Sequence, residues 1–353
     1  FFLLSFLLYK KPKNLSNQIL NQFMFFDICF TVSKKGCLQM NQYIIGLPRA
    51  LLYYRYHDLW KTFFEELGCK VIVSEPSNQQ ILETGIKHSI DETCLSLKLY
   101  LGHVQSLKNR CDYVLVPRII CLKKHEKLCT NFNALYDIVH NTFPKIPLLN
   151  YNIDVSKKET EFFAFLKMGR ELGFSYLDSI RSYQKAKKVE QKKRKRKIEQ
   201  QEKQLNSNKT KILLVSHAYN LYDPLIGESI ITYLKKQGIE VILADIYDTK
   251  KLKEEAKMIS KSNYWTYNKE LLGALTHYKK QVDGIILLST FPCGPDSLTN
   301  EMCLRKVHNV PLIHLIIDEL KAEAGILTRL ESFLDIIDKK KKRSQQHEIR
   351  KNH

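Results

Sequence analysis

The run Val282-Asp283-Gly284-Ile285-Ile286-Leu287-Leu288 is almost wholly apolar and is followed by Ser289-Thr290-Phe291-Pro292-Cys293-Gly294-Pro295-Asp296-Ser297. A short apolar run bounded by turn residues reads as a strand covered on both faces, which belongs in a parallel sheet with helices on each side. Pro295 has the fixed φ of a first helical position, and Asp296 falls in the positive first turn. Cys293 therefore sits where a buried strand ends and a helix begins, facing the crevice where open α/β sheets hold ligands. The helix start is expected to lower the pKa of its thiol.

The same alternation runs through most of the chain. The first half reads as strand 42–47, helix 50–67, strand 70–74, helix 77–88 with Ser77 as N-cap, helix 94–107 and strand 112–116 ending at Pro117. A loop at 118–130 holding Cys121 and Cys129 follows, then helix 131–141, strand 147–150 and helix 156–172. The second half repeats the scheme. It has strand 212–216, a loop at 217–224, a helix to Gln237, strand 240–244, helices near 249–261 and 266–280, strand 283–288, a helix from Pro295, strand 311–317 and a last helix to Ile337. Between the halves, 176–205 has no Pro or Gly and includes QKKRKRKIEQQEKQ, which reads as a long helix with a solvated, charged end. The expected architecture is α/β, with two Rossmann-like doubly wound parallel-sheet lobes joined by a long charged helix. The division is 1–39 extension, 40–175 first lobe, 176–210 linker helix, 211–338 second lobe and 339–353 basic tail. Met40 directly precedes the first strand, so residues 1–39 read as lying upstream of the native start and outside the fold.

The net charge of +19 is concentrated in three segments. Residues 1–39 hold five Lys and one Asp, 181–211 hold thirteen basic and three acidic residues, and 338–353 hold seven and two. The remainder balances at 31 basic and 31 acidic residues, so the charge does not mark a nucleic-acid-binding surface. Residues 1–9 (FFLLSFLLY) are too short to span a bilayer and lack the basic flank and cleavage site of a signal peptide, so no membrane attachment is expected. The nine cysteines, at 29, 37, 69, 94, 111, 121, 129, 293 and 303, are odd in number and widely spaced, which fits a reducing cytoplasmic compartment. No CxxC pair, G-x-G-x-x-G or P-loop is present.

Several segments taken in order carry a resemblance. Asp91-Glu92-Thr93-Cys94, Pro117-Arg118-Ile119-Ile120 with Cys129, and Phe291-Pro292-Cys293-Gly294-Pro295-Asp296 are similar to motifs of the 2-hydroxyacyl-CoA dehydratase superfamily. Gly46 to Tyr54, Lys98 to His103, Tyr219 to Asp223, Asp318-Glu319 and Ala324 to Glu331 extend the likeness across nearly the whole of 44–335. The branch most resembled is the activase-associated iron–sulfur proteins. That resemblance implies a 4Fe–4S cluster between the lobes on Cys94, Cys129 and Cys293, with Cys121 the alternative ligand in the same loop. It also implies an anaerobic electron-transfer or reductase role as a dehydratase-like component acting on a CoA thioester or other small substrate. The implied partners are a separate ATP-dependent activase and a second cluster-bearing subunit or a homodimer. Soft thiolates suit such a cluster, and three of them leave one coordination position open. Two other readings stand beside it: a two-lobed binding or sensor protein without catalysis, and a zinc–thiolate protein. Cys69, Cys111 and Cys303 read as small core residues. Arg49, Arg118, His217, Asn220, Asp223, Asp318 and Glu319 are polar candidates near strand ends, each with capping or loop bonding as its alternative, and Tyr43, Tyr53 and Tyr54 read as core.

Overall fold

The computed structural model describes residues 42–247, 252–320 and 323–351, so the expectation for 1–39 lies outside the described residues. The chain builds two four-stranded, all-parallel sheets. In the first sheet the order is β2 (Lys70–Val73), β1 (Ile44–Leu47), β3 (Tyr113–Cys121), β4 (Leu148–Asp154). The second repeats it with β6 (Glu240–Leu243), β5 (Lys211–Val215), β7 (Gly284–Thr290), β8 (Leu312–Ile317). Each order reverses direction beside its first strand, between β1 and β3 and between β5 and β7, which is where doubly wound sheets open a crevice. The fold is thus α/β with two lobes, as the alternating pattern predicts.

The helices are α1 (Tyr53–Glu66), α2 (Gln79–Lys87), α3 (Leu95–Ser106), α4 (Thr130–Thr142), α5 (Glu161–Glu171) and α6 (Tyr176–Leu205). Then come α7 (Ala218–Leu221), α8 (Glu228–Lys236), α9 (Leu252–Lys257), α10 (Thr266–Tyr278), α11 (Gly294–Lys306) and α12 (Glu323–Lys351). The unbroken β7 is buried at every residue from Gly284 to Thr290, as its apolar run requires.

Four local readings differ from the structure. Strand β3 continues past Pro117 to Cys121. Val114 donates its N–H to Pro147 on the β4 side, so residue 117 would direct its N–H toward β1, where pairing has already ended at Val114. Proline there loses no ladder bond. The N-cap of α2 is Asn78, whose side chain accepts from the Ile81 N–H at 3.0 Å, and Ser77 is turned inward instead. The helix expected at 156–172 is divided into a 3₁₀ turn at Val155–Lys157 and α5, with Lys158 at φ 67° between them. The last helix does not stop at Ile337 but continues to Lys351.

The lobes share one of their apolar clusters. Ile81 and Leu82 of α2 and Leu95 and Leu99 of α3 belong to the first half of the sequence. They pack into one buried cluster with Ile212, Leu214, Ile286 and Leu288 of the second sheet. Helices α2 and α3 cross at backbone contact. A Cβ on Gly85 would lie 1.9 Å from the Lys98 carbonyl oxygen, and one on Gly102 would lie 2.0 Å from that of Ile81. The linker helix α6 packs on α1 and reaches β6, so it belongs to both lobes. Its buried Gln201 donates to the carbonyls of Leu243 and Ile246 and accepts from the Leu243 N–H.

Candidate functional site

Cys94, Cys129 and Cys293 occupy equivalent positions: each is the N-cap of a helix, of α3, α4 and α11 respectively. All three have extended backbone, with φ/ψ of −64°/146°, −65°/161° and −127°/101°, and none uses its side chain as a cap. The sulfurs are left to face outward from three helix starts. They line one cavity of about 520 Å³ together with Asn131, Phe132, Tyr219 and Trp265.

Backbone bonds between lobes hold these starts together. The Leu95 N–H donates to the Phe291 carbonyl at 3.0 Å. Lys127 donates to Tyr264 at 3.0 Å and accepts from Thr266 at 3.1 Å. Ser96 donates to Asn220 Oδ1 at 2.9 Å and lies 3.2 Å from Thr290 Oγ1. Cys121 is not in this group. It is buried at the end of β3, and its thiol donates to the Lys123 carbonyl at 2.8 Å. Cys69 and Cys303 are core residues, and Cys111 packs at the core margin beside Gly46.

The electrostatics correct one expectation. Burial pushes the Cys293 thiol well up, and neighbouring Asp296 adds to this, so the helix start does not make it acidic. Burial likewise raises Cys94, and it pushes Cys129 up to about 11. Opposing this, the Leu97 and Phe132 N–H groups act on Cys94 and Cys129, and Asn131 Nδ2 lies 3.5 Å from the Cys94 sulfur. Three neighbouring thiols resist ionising together; a bound metal centre is what would reverse that.

Beside the thiols lies a buried pair that the sequence reading did not connect. His217 Nε2 is 2.8 Å from Asp296 Oδ1, and Asn268 Nδ2 donates to the same oxygen at 2.9 Å. Burial alone would raise the Asp296 carboxyl, but His217 and these hydrogen bonds hold it below the usual carboxylate value. Tyr219 stacks on His217 at 5.0 Å and 19°, and burial drives its hydroxyl pKa far up. A His at the end of one strand and an Asp in the first turn after another were the available signals.

A second buried network joins the lobes. Ser77 donates to Asp223 at 2.5 Å, and Tyr54 donates to the same oxygen at 3.4 Å. His103 sits between Ser74 and Ser77, 2.9 Å from each hydroxyl. Burial pushes Asp223 up to about 6 and His103 down to about 3. Lys98 is buried and meets Glu319 of the other lobe at 2.6 Å. Arg118 pairs with Asp137 rather than entering the cavity, and the Leu320 N–H donates to the Asp318 carboxylate. Arg49 keeps a buried Nε without a hydrogen-bond partner. Tyr54 belongs to the Asp223 network rather than to the core alone.

Among the described residues, no three His, Cys, Asp or Glu side chains converge tightly enough to hold a single metal ion. Nor is any helix among the described residues long and apolar enough to cross a membrane.

Two solved structures are similar at 13% identity. The SBP FpvC from Pseudomonas aeruginosa in complex with Mn2+ has a TM-score of 0.27, with 78% of this chain and 88% of that chain covered. Its Ni2+ complex has 0.26, with 78% and 87% covered. At these scores the likeness carries no argument. No curated protein matches the chain. A family model described as CoA enzyme activase uncharacterised domain (DUF2229) matches residues 44–246, from β1 through β6. The chain belongs to that CoA enzyme activase-associated family.

Proposed function

We propose that this protein is an iron–sulfur electron-transfer or reductase component of a CoA-dehydratase-type system, with Cys94, Cys129 and Cys293 as the ligands of a 4Fe–4S cluster and a separate ATP-dependent activase as its reductant. The observation that carries the reading is the arrangement of three thiols, from three helix N-caps, around one cavity of about 520 Å³. The family membership supports the link to an activase.

The donor set fits such a group. Thiolates are the ligands iron–sulfur clusters use, and three leave one position for substrate, water or another ligand. Helix N-termini favour an anionic centre through their dipoles and unpaired N–H groups. A zinc ion with bonds of about 2.3 Å to sulfur would need thiolates converged on one point. A cubane spreads its ligands farther apart. When bound, the cluster would supply low-potential one-electron transfer.

The remaining roles fall to the chain itself. Asn131 donates toward the Cys94 sulfur, and Phe132, Tyr219 and Trp265 limit water in the cavity. The His217–Asp296 pair keeps a buried carboxylate ionised next to Cys293. A second cluster-bearing subunit or a second copy of this chain would complete the system.

The test is purification of the full chain without oxygen, with iron, sulfide and zinc measured per chain. A brown protein with about four irons and matching sulfide supports the reading. A colourless protein holding stoichiometric zinc, or no metal after anaerobic reconstitution, overturns it.

A further inference from the structure

A second cavity, of about 370 Å³, lies under α6 where the segments after β1, β5 and β6 meet. His217, Tyr219 and Tyr267 stand between it and the thiols. Its charges are unevenly paired. Arg55 makes a bidentate pair with Glu270, Lys187 meets Glu161 and Glu190, and Lys193 meets Asp58 at 2.5 Å. Arg194 has no carboxylate partner among the described residues and donates only to the Tyr247 carbonyl at 2.9 Å. Lys197 has none either; its ammonium lies over the Tyr222 ring at 5.5 Å. On the inner wall, Asp245 keeps a buried Oδ1 with no hydrogen-bond partner. Burial pushes that carboxyl up, while a hydrogen bond from Tyr222 and the charges of Lys197 and Arg55 pull the other way.

Buried polar atoms are nearly always satisfied, so an orphan acceptor facing a cavity marks a place where a donor is missing. Arg194 and Lys197, at the same cavity, have no carboxylate within ion-pair distance among the described residues, so their donors are free to take an oxyanion there. We propose that this cavity is a second ligand site, taking a small phosphate- or carboxylate-bearing molecule on Arg194 and Lys197, with a hydroxyl or amine of the same ligand donating to Asp245. The Arg194 guanidinium offers the planar fork that such oxyanions accept. Half of the linker's basic run then has a defined role: Arg194 and Lys197 serve the cavity, and Lys193 closes its rim. Lys192, Lys195 and Arg196 face solvent. The proposal does not depend on the cluster reading, because none of its residues is one of the three thiols.

The test uses the full chain, purified without oxygen, titrated by calorimetry with inorganic phosphate, glycerol 3-phosphate and succinate. Phosphate binding without succinate binding identifies a phosphate site, and the reverse a carboxylate site. Arg194→Gln/Lys197→Gln should weaken the bound probe at least tenfold, whereas Lys195→Gln/Arg196→Gln, with the same charge change on the solvent side, should leave it within twofold. Lys197→Gln alone, at an exposed position, keeps the test available if the double variant does not fold. Iron content measured in parallel reports separately on the thiol site. Binding of none of the three probes to the parent overturns the proposal, and so does equal weakening by the two double variants.

Discussion

The backbone N–H of Leu95 donates to the carbonyl oxygen of Phe291 at 3.0 Å, which ties the residue after Cys94 to the residue two places before Cys293. Two thiols 199 positions apart in sequence are thereby held to one another by main chain, not by side-chain packing alone.

From this arrangement, Cys94→Ala, Cys129→Ala and Cys293→Ala are each expected to remove most bound iron and the visible absorbance. Cys121→Ala should not, because its thiol is bonded to Lys123 and lies away from the cavity. Cys303→Ala should lose stability without losing iron. Metal analysis of anaerobic preparations decides this, and full iron in Cys129→Ala would be fatal to the assignment of that loop.

Asp223 gives a pH dependence with a definite sign. Its carboxyl rises from 3.8 to about 6 on folding, so the folded state holds its proton where the unfolded chain has released it. The associated stability is complete below about pH 4 and is lost as pH rises through 6; the difference amounts to about 3 kcal/mol. Asp223→Asn cannot lose it. The thermal midpoint of Asp223→Asn minus that of the parent should therefore grow between pH 4.5 and 7, and a difference that stays flat would show that Asp223 ionises normally.

Gly102→Ala is expected to cost about 3 kcal/mol or more, since its Cβ would meet the Ile81 carbonyl at 2.0 Å. The clash must push α3 away from α2, and Cys94 caps α3, so bound iron should fall with the thermal midpoint. Urea denaturation and iron content on one preparation would check both. Wild-type stability in this variant would mean that the helices can separate freely.

Glu319→Ala should destabilise by about 2 kcal/mol, because it leaves the buried Lys98 ammonium with only the Asp91 carbonyl. Lys98→Met/Glu319→Ala should recover most of that loss. A double variant no more stable than Glu319→Ala would show that the ion pair is not what Glu319 contributes.

The strands were legible because a strand buried on both faces must be a short apolar run, and Val282 to Leu288 can be little else. The length of α6 was legible from the unbroken polar sequence at 176–205. What escaped depended on partners distant in sequence. Pro117 reads as a stop until β1 is known to end beside it. The run after Ile337 reads as a tail because its lysines say nothing about where a helix ends. Cys129 was placed in a loop because Thr130 gives no strong helix-start signal. The pairing of His217 with Asp296, and the meeting of Arg194, Lys197 and Asp245 at one cavity, exist only once the two lobes face each other.

The exchange of α2 and α3 into the second lobe's core has a consequence for how the molecule can come apart. Cutting the chain at residue 210 would leave Ile81, Leu82, Leu95 and Leu99 uncovered on one fragment and part of a sheet face uncovered on the other. Each piece would keep an apolar cluster of its own but lose this shared one, so the two lobes should be coupled in unfolding and melt together. The boundary of the family match at residue 246 also runs between β6 and β7, through the middle of a sheet. Two repeats in topology are thus coupled through one shared cluster, and either half expressed alone should be less stable than it is in the whole chain.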